Sequence, residues 1–137
     1  MTASARIFRP AVVLAIAAMF SVLPSSGAQD STFHSAPASA AEMKDLYQGN
    51  PQAAAAGKKL YSQNCAQCHG KELQGIGPAP PLDNPSTRNA KPGELFWFIT
   101  NGDLHGGMPS WAVLPKQQRW QIVTFLQSRI GAKSEPK

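Results

Sequence analysis

The sequence predicts an all-α domain of three to four helices joined by long loops. Three observations carry that expectation. Residues Trp120, Ile122, Val123, Phe125, Leu126 and Ile130 recur at helical spacing and give a broad apolar face. No run alternates apolar and polar side chains as a half-buried strand does. Gly and Pro concentrate in two segments, Gly75-Ile76-Gly77-Pro78-Ala79-Pro80-Pro81 and Gly106-Gly107-Met108-Pro109, which exclude regular helix and central strand.

The first helix opens at Asn50-Pro51, because Asn is a strong N-cap and Pro suits the first helical position. It runs through the alanine-rich stretch Gln52 to Gln63, with Leu60 and Tyr61 as its main apolar side chains, and delivers Cys65. Gly57 lies inside it at a cost of about 1 kcal/mol against alanine, so something packs closely on the helix backbone there. Gly70 to Ala90 reads as a stiff loop. The next helix begins near Pro92 or Gly93, runs to Asn101 and stops at Gly102. A second loop spans Asp103 to Leu114. The final helix opens at Pro115, runs to about Arg129 and ends before Gly131.

The 137 residues divide into an export segment (1–28), a flexible lead-in (29–49), one folded domain (50–131) and a tail (132–137). The export segment carries Arg6 and Arg9, an apolar run from Ala11 to Val22, and Ser26-Gly27-Ala28 before the expected cleavage. The apolar run is short of the roughly 20 residues that span a bilayer, so a retained anchor is the lesser alternative. The mature form is expected to have no membrane span. Net charge is +5; without Arg6 and Arg9, 11 basic residues face 8 acidic ones, giving +3. Lys44, Lys58, Lys59, Lys71, Arg88, Lys91, Lys116 and Arg119 are scattered, with no polybasic block, so nucleic-acid binding has no support. The lysines serve either to steer an acidic partner or simply as solvated surface charge.

The chemistry resides in Cys65-Ala66-Gln67-Cys68-His69, which contains the chain's only two cysteines. Two thiols at this spacing followed by histidine form the attachment signal for a c-type haem. Each thiol adds across a haem vinyl group, and His69 then lies under the porphyrin as an iron ligand. A disulfide across two intervening residues would close a tiny loop and stabilise little. A redox dithiol needs a βαβ context that is lacking. Zinc needs further ligands, and only His34 and His105 remain. A domain this small with loops this long buries little surface by itself; a bound macrocycle would supply the missing core. The haem-free chain is therefore expected to be mostly unfolded.

Those residues resemble a class I cytochrome c of the bacterial periplasmic monohaem kind. The likeness runs from Gly57 to Ile130. Gly57-Lys58-Lys59-Leu60-Tyr61 with Cys65-Ala66-Gln67-Cys68-His69-Gly70 is similar to the family's N-terminal helix and haem motif. Gly75-Ile76-Gly77-Pro78 is similar to its glycine-proline loop, Gly107-Met108-Pro109 with Trp111 to its distal loop, and Trp120 through Leu126 to its last helix. The resemblance implies the small cytochrome c fold around one covalent haem c. It implies Cys65 and Cys68 as thioether sites, His69 and Met108 as axial iron ligands, and the Pro78 carbonyl as acceptor for the second His69 nitrogen. His105 is the rival to Met108. It also implies contact of Gly57 and Tyr61 with the last helix near Ile122, Val123 and Phe125. Trp97, Trp111 and Trp120 are expected to pack in the haem pocket or between helices, and one of them or Tyr61 to bond a propionate.

The expected function is one-electron transfer, not catalysis, by an exported periplasmic protein that is a monomer or a subunit of a complex. A dehydrogenase or quinol-oxidising complex would donate, and an oxidase or another cytochrome would accept. The alternatives are a haem enzyme or gas sensor with a labile distal ligand, or the cytochrome subunit of a periplasmic dehydrogenase.

Overall fold

Asn50 and Pro51 start the longest N-terminal helix as their chemistry dictates: the Asn50 side chain accepts from Gln52 N and Ala53 N, both at 3.0 Å. The fold is taken from a computed structural model that describes residues 36–131. The expected export segment, the start of the expected lead-in and the tail after 131 lie outside the described residues.

Six helices follow in order: α1 (Ala38–Ala41), α2 (Pro51–Asn64), α3 (Ala66–His69), α4 (Pro85–Asn89), α5 (Pro92–Asn101) and α6 (Lys116–Gly131). Among the described residues there is no strand, only one isolated bridge between Asp103 and Met108. The all-α expectation holds, with more helices than three to four. The extra ones are short. α4 was expected to be loop, yet Asn84 Oδ1 caps Thr87 N at 2.8 Å and Pro85 takes the first helical position. α1 lies in a stretch expected to be flexible, and Ala40 there is buried. α6 starts and ends within two residues of its expected limits.

The core forms where α2 crosses α6. Gly57 is the contact: a Cβ built there would lie 1.9 Å from the Gln121 carbonyl oxygen and 2.9 Å from Phe125 Cβ. Tyr61, one turn on, meets the Phe125 ring at 5.3 Å. The helix crossing expected from Gly57 and Tyr61 is thus present, with Gln121 as a further member. Leu95, Phe96, Ile99, Trp120, Ile122, Val123 and Leu126 complete the cluster. Phe96 stacks on Trp120 at 4.2 Å, with the Arg119 guanidinium 4.9 Å from the Phe96 ring.

The segment before α2 straps α5 to α6. A Cβ on Gly93 would meet the Ala40 carbonyl oxygen at 1.8 Å, so α1 rests on the α5 backbone. Asp45 is 7 % exposed; its carboxylate accepts from Thr124 Oγ1 on α6 at 2.7 Å and from Tyr47 N at 2.9 Å. Among the described residues, no helix is long and apolar enough to cross a membrane.

Candidate haem site

The site begins where α2 ends. Cys65 closes α2, with its N–H on the Tyr61 carbonyl at 2.8 Å, and also starts α3. His69 N bonds to the Cys65 carbonyl at 2.9 Å, so Cys65, Cys68 and His69 lie on one helical turn. Positions three and four apart on such a turn share a face. Both thiols are free; Cys65 is half-buried and Cys68 exposed. Burial, reinforced by the neighbouring Cys68, pushes the Cys65 thiol up to about 11, so it is held as a neutral thiol near pH 7.

Gly70 leaves the turn at φ 77°, and the chain folds back under His69. Gly75 N returns to the His69 carbonyl and Ile76 N to the Cys68 carbonyl, both at 2.9 Å. This brings the Pro80 carbonyl oxygen to 3.0 Å from His69 Nδ1. The expected partner was Pro78; the structure puts the acceptor two residues later, with Pro78 kept as part of the cavity wall. The shift follows from two left-handed glycines, Gly75 at φ 75° and Gly77 at φ 60°, and the turn from Ala79 N to the Ile76 carbonyl. A carbonyl only accepts, so Nδ1 carries the proton and the Nε2 lone pair is left for a metal.

The second loop closes on itself. Asp103 and Met108 exchange both backbone hydrogen bonds, N to O at 2.9 and 2.8 Å, and Asp103 Oδ1 accepts from Gly106 N at 3.1 Å. Gly102 makes this possible: at φ 73°, a Cβ there would meet the Met108 carbonyl oxygen at 2.6 Å. Ser110 Oγ donates to the Thr100 carbonyl at 2.6 Å and Trp111 N to that of Ile99 at 3.0 Å, which ties the loop to α5.

Cys65, His69 and Met108 line one cavity of about 340 Å³. Its walls are Pro80, Leu82, Leu95, Phe98, Ile99 and Leu126, with Asn84, Ser86 and Thr87 of the α4 segment as a polar side. His105 is exposed and does not line it. Cys68 is exposed and does not line it either. Tyr61 reaches the cavity, but its hydroxyl donates to the Gly70 carbonyl at 2.7 Å. None of Trp97, Trp111 and Trp120 lines it: Trp120 stacks on Phe96, Trp97 meets the Phe98 ring edge-on, and Trp111 packs against the core cluster. A larger groove of about 900 Å³ shares only Thr87 with the cavity and contains no Cys, His or Met. Among the described residues, no three His, Cys, Asp or Glu side chains gather as a metal-ion cluster.

The α4 segment and Pro80 are the parts that sequence reasoning missed. The Asn84-Pro85 pair carried the same start signal as Asn50-Pro51. The donor set fits a c-type haem: two free thiols and an imidazole on one turn, beside an apolar cavity that also takes a thioether. No match was found among curated proteins. A family model described as cytochrome C oxidase, cbb3-type, subunit III matches residues 52–126, over half of the chain. Motif, cavity and family model agree, and the chain belongs to this family of c-type cytochromes, with haem c attached covalently and electron transfer as its chemistry.

Proposed function

We propose that the chain is a one-electron carrier whose haem iron is held between His69 and Met108. The observation that carries this reading is the placement of both side chains on one apolar cavity while His105 stands outside it. The haem, when bound, supplies a reversible couple between Fe(II) and Fe(III). Cys65 and Cys68 tether it. Pro80 fixes the His69 ring and its tautomer and raises its basicity as a ligand. Met108 offers a soft thioether, which favours the reduced ion. Leu95, Phe98, Ile99 and Leu126 keep water away from the charge that changes. With His69 and Met108 both committed to holding the iron, no site would be left there for a substrate.

Export to the periplasm follows in this reading from the basic, apolar and small-residue order of residues 1–28. Electrons would come from a dehydrogenase or quinol-oxidising complex and leave to an oxidase or another cytochrome. The family's description names an oxidase subunit, which favours a second reading, a subunit within an oxidoreductase complex. Size-exclusion of the native extract, followed by haem staining, separates the two.

Ferric far-red absorption tests the ligand set. Met108→Ala is expected to lose the thioether-to-iron band and His105→Ala to keep it. The reverse pattern overturns the assignment.

A further inference from the structure

Asp103 is the single Asp, Glu, Lys or Arg among the described residues that line the haem cavity. Neither haem attachment nor iron ligation uses it. It follows Gly102, the residue that closes α5, and its backbone exchanges both hydrogen bonds with Met108. Its Oδ1 accepts from Gly106 N at 3.1 Å, and Gly106 also lines the cavity. A Cβ built on Gly106 would lie 2.7 Å from Asp103 Oδ2, so the carboxylate lies folded against the loop that carries Met108.

Asp103 is half-buried, and no cation offsets it. Among the described residues the one ion pair is Glu72 with Arg129, 2.6 Å apart. His105, two positions on, is exposed and makes no ion pair with Asp103. The other polar wall of the cavity, Asn84, Ser86 and Thr87, is uncharged. A partly buried charge on such a wall is screened far less than one in water. Oxidation adds one positive charge at a haem iron, and a fixed negative charge nearby favours that gain. The Met108 thioether favours the reduced ion. Asp103, on the same loop, acts in the opposite sense.

We infer that Asp103 sets the balance between the two oxidation states: its carboxylate braces the Met108 loop through Gly106 N and puts an uncompensated negative charge on the cavity wall that stabilises Fe(III). This rests on the reading of His69 and Met108 as iron ligands and adds to it the residue that offsets the thioether. One electron is exchanged per event, and no bond forms or breaks at Asp103. A unit charge about 12 Å from an iron, at an effective dielectric of about 20, changes the Fe(III) to Fe(II) ratio about tenfold.

Asparagine separates the two roles, because its amide oxygen still accepts from Gly106 N while the charge is gone. Redox titrations of the haem-loaded protein at neutral pH, in low and high salt, test the charge. Asp103→Asn is expected to keep the thioether-to-iron band and to shift the ratio about tenfold toward Fe(II) at a fixed ambient potential, in high salt as in low. Glu42→Gln, which removes an exposed carboxylate on the strap, should leave the ratio unaltered. Asp103→Ala should show the same shift and also bind added imidazole, a competitor of Met108 for the ferric iron, about fivefold more tightly, the worth of one hydrogen bond on the loop. An Asp103→Asn protein whose ratio is unaltered, moves toward Fe(III), or shifts at low salt alone overturns the inference. Loss of the band in Asp103→Asn also overturns it, as does wild-type imidazole affinity in Asp103→Ala. Failure of the underlying reading shows separately in the wild type, as absence of the band or of a reversible one-electron couple.

Discussion

Gly57→Ala is the sharpest perturbation of the fold, because two effects oppose each other there. Alanine in place of glycine inside a helix gains about 1 kcal/mol from the unfolded chain. In α2 the new Cβ would lie 1.9 Å from the Gln121 carbonyl oxygen and 2.5 Å from its carbon. Ordinary contact starts near 3.4 Å, so α2 and α6 must separate by more than an ångström. The obstacle is backbone, which no rotamer change removes. Overpacking costs about 1–3 kcal/mol, and a rigid partner puts this site at the upper end. The net loss is about 2 kcal/mol, which for a domain of this size lowers Tm by about 8–16 °C. Thermal melts of the haem-loaded protein measure it, with Ala55→Gly on the exposed side of α2 as the control for propensity, expected to cost about 1 kcal/mol. A Gly57→Ala protein that melts at or above the wild type refutes the close crossing.

Three other outcomes are expected. Replacing both Cys65 and Cys68 by alanine abolishes covalent haem, read by haem stain and intact mass, and leaves a chain without a cooperative melt by circular dichroism. Tyr61→Phe orphans the buried Gly70 carbonyl and lowers stability by about 1–3 kcal/mol at neutral pH. Burial first, then Cys65 and Glu72, raise the Tyr61 phenol above its usual value; its share of stability is therefore intact below about pH 10 and lost as pH rises beyond it, and Tyr61→Phe should flatten that alkaline fall in urea midpoints. Thr124→Val removes the donor to Asp45 and costs about 1–3 kcal/mol, and a double-mutant cycle with Asp45→Ala should show coupling of about 0.5 kcal/mol or more.

The parts of the site that were legible in the sequence are those set by local spacing. Cys65, Cys68 and His69 are neighbours, and one helical turn is enough to align them. That Met108 would reach the cavity wall could be read from the glycines and proline that surround it between two helices. Pro80 was hidden because two left-handed glycines and an intervening turn decide which carbonyl arrives under His69, and proline spacing alone does not count that turn. Helix α4 is too short to show apolar periodicity, so only its Asn84-Pro85 start could reveal it. The strap was hidden for a different reason. Ala40 and Asp45 are buried by partners 53 and 79 positions later in sequence, Gly93 and Thr124, and nothing in their own neighbourhood signals it. In the resemblance, Tyr61 was a partner of the last helix, and it is that; its hydroxyl is taken up by the Gly70 carbonyl.

The central claim is a haem iron closed on both sides by protein, His69 on one and Met108 on the other. Exposing the ferrous protein to carbon monoxide tests it most directly. A closed, electron-carrying site predicts an absorption spectrum that stays unchanged on mixing, with carbon monoxide binding appearing once Met108 is replaced by alanine. Rapid and complete conversion of the wild type to the carbon monoxide form would contradict the claim and move the protein to the class of haem enzymes and gas sensors.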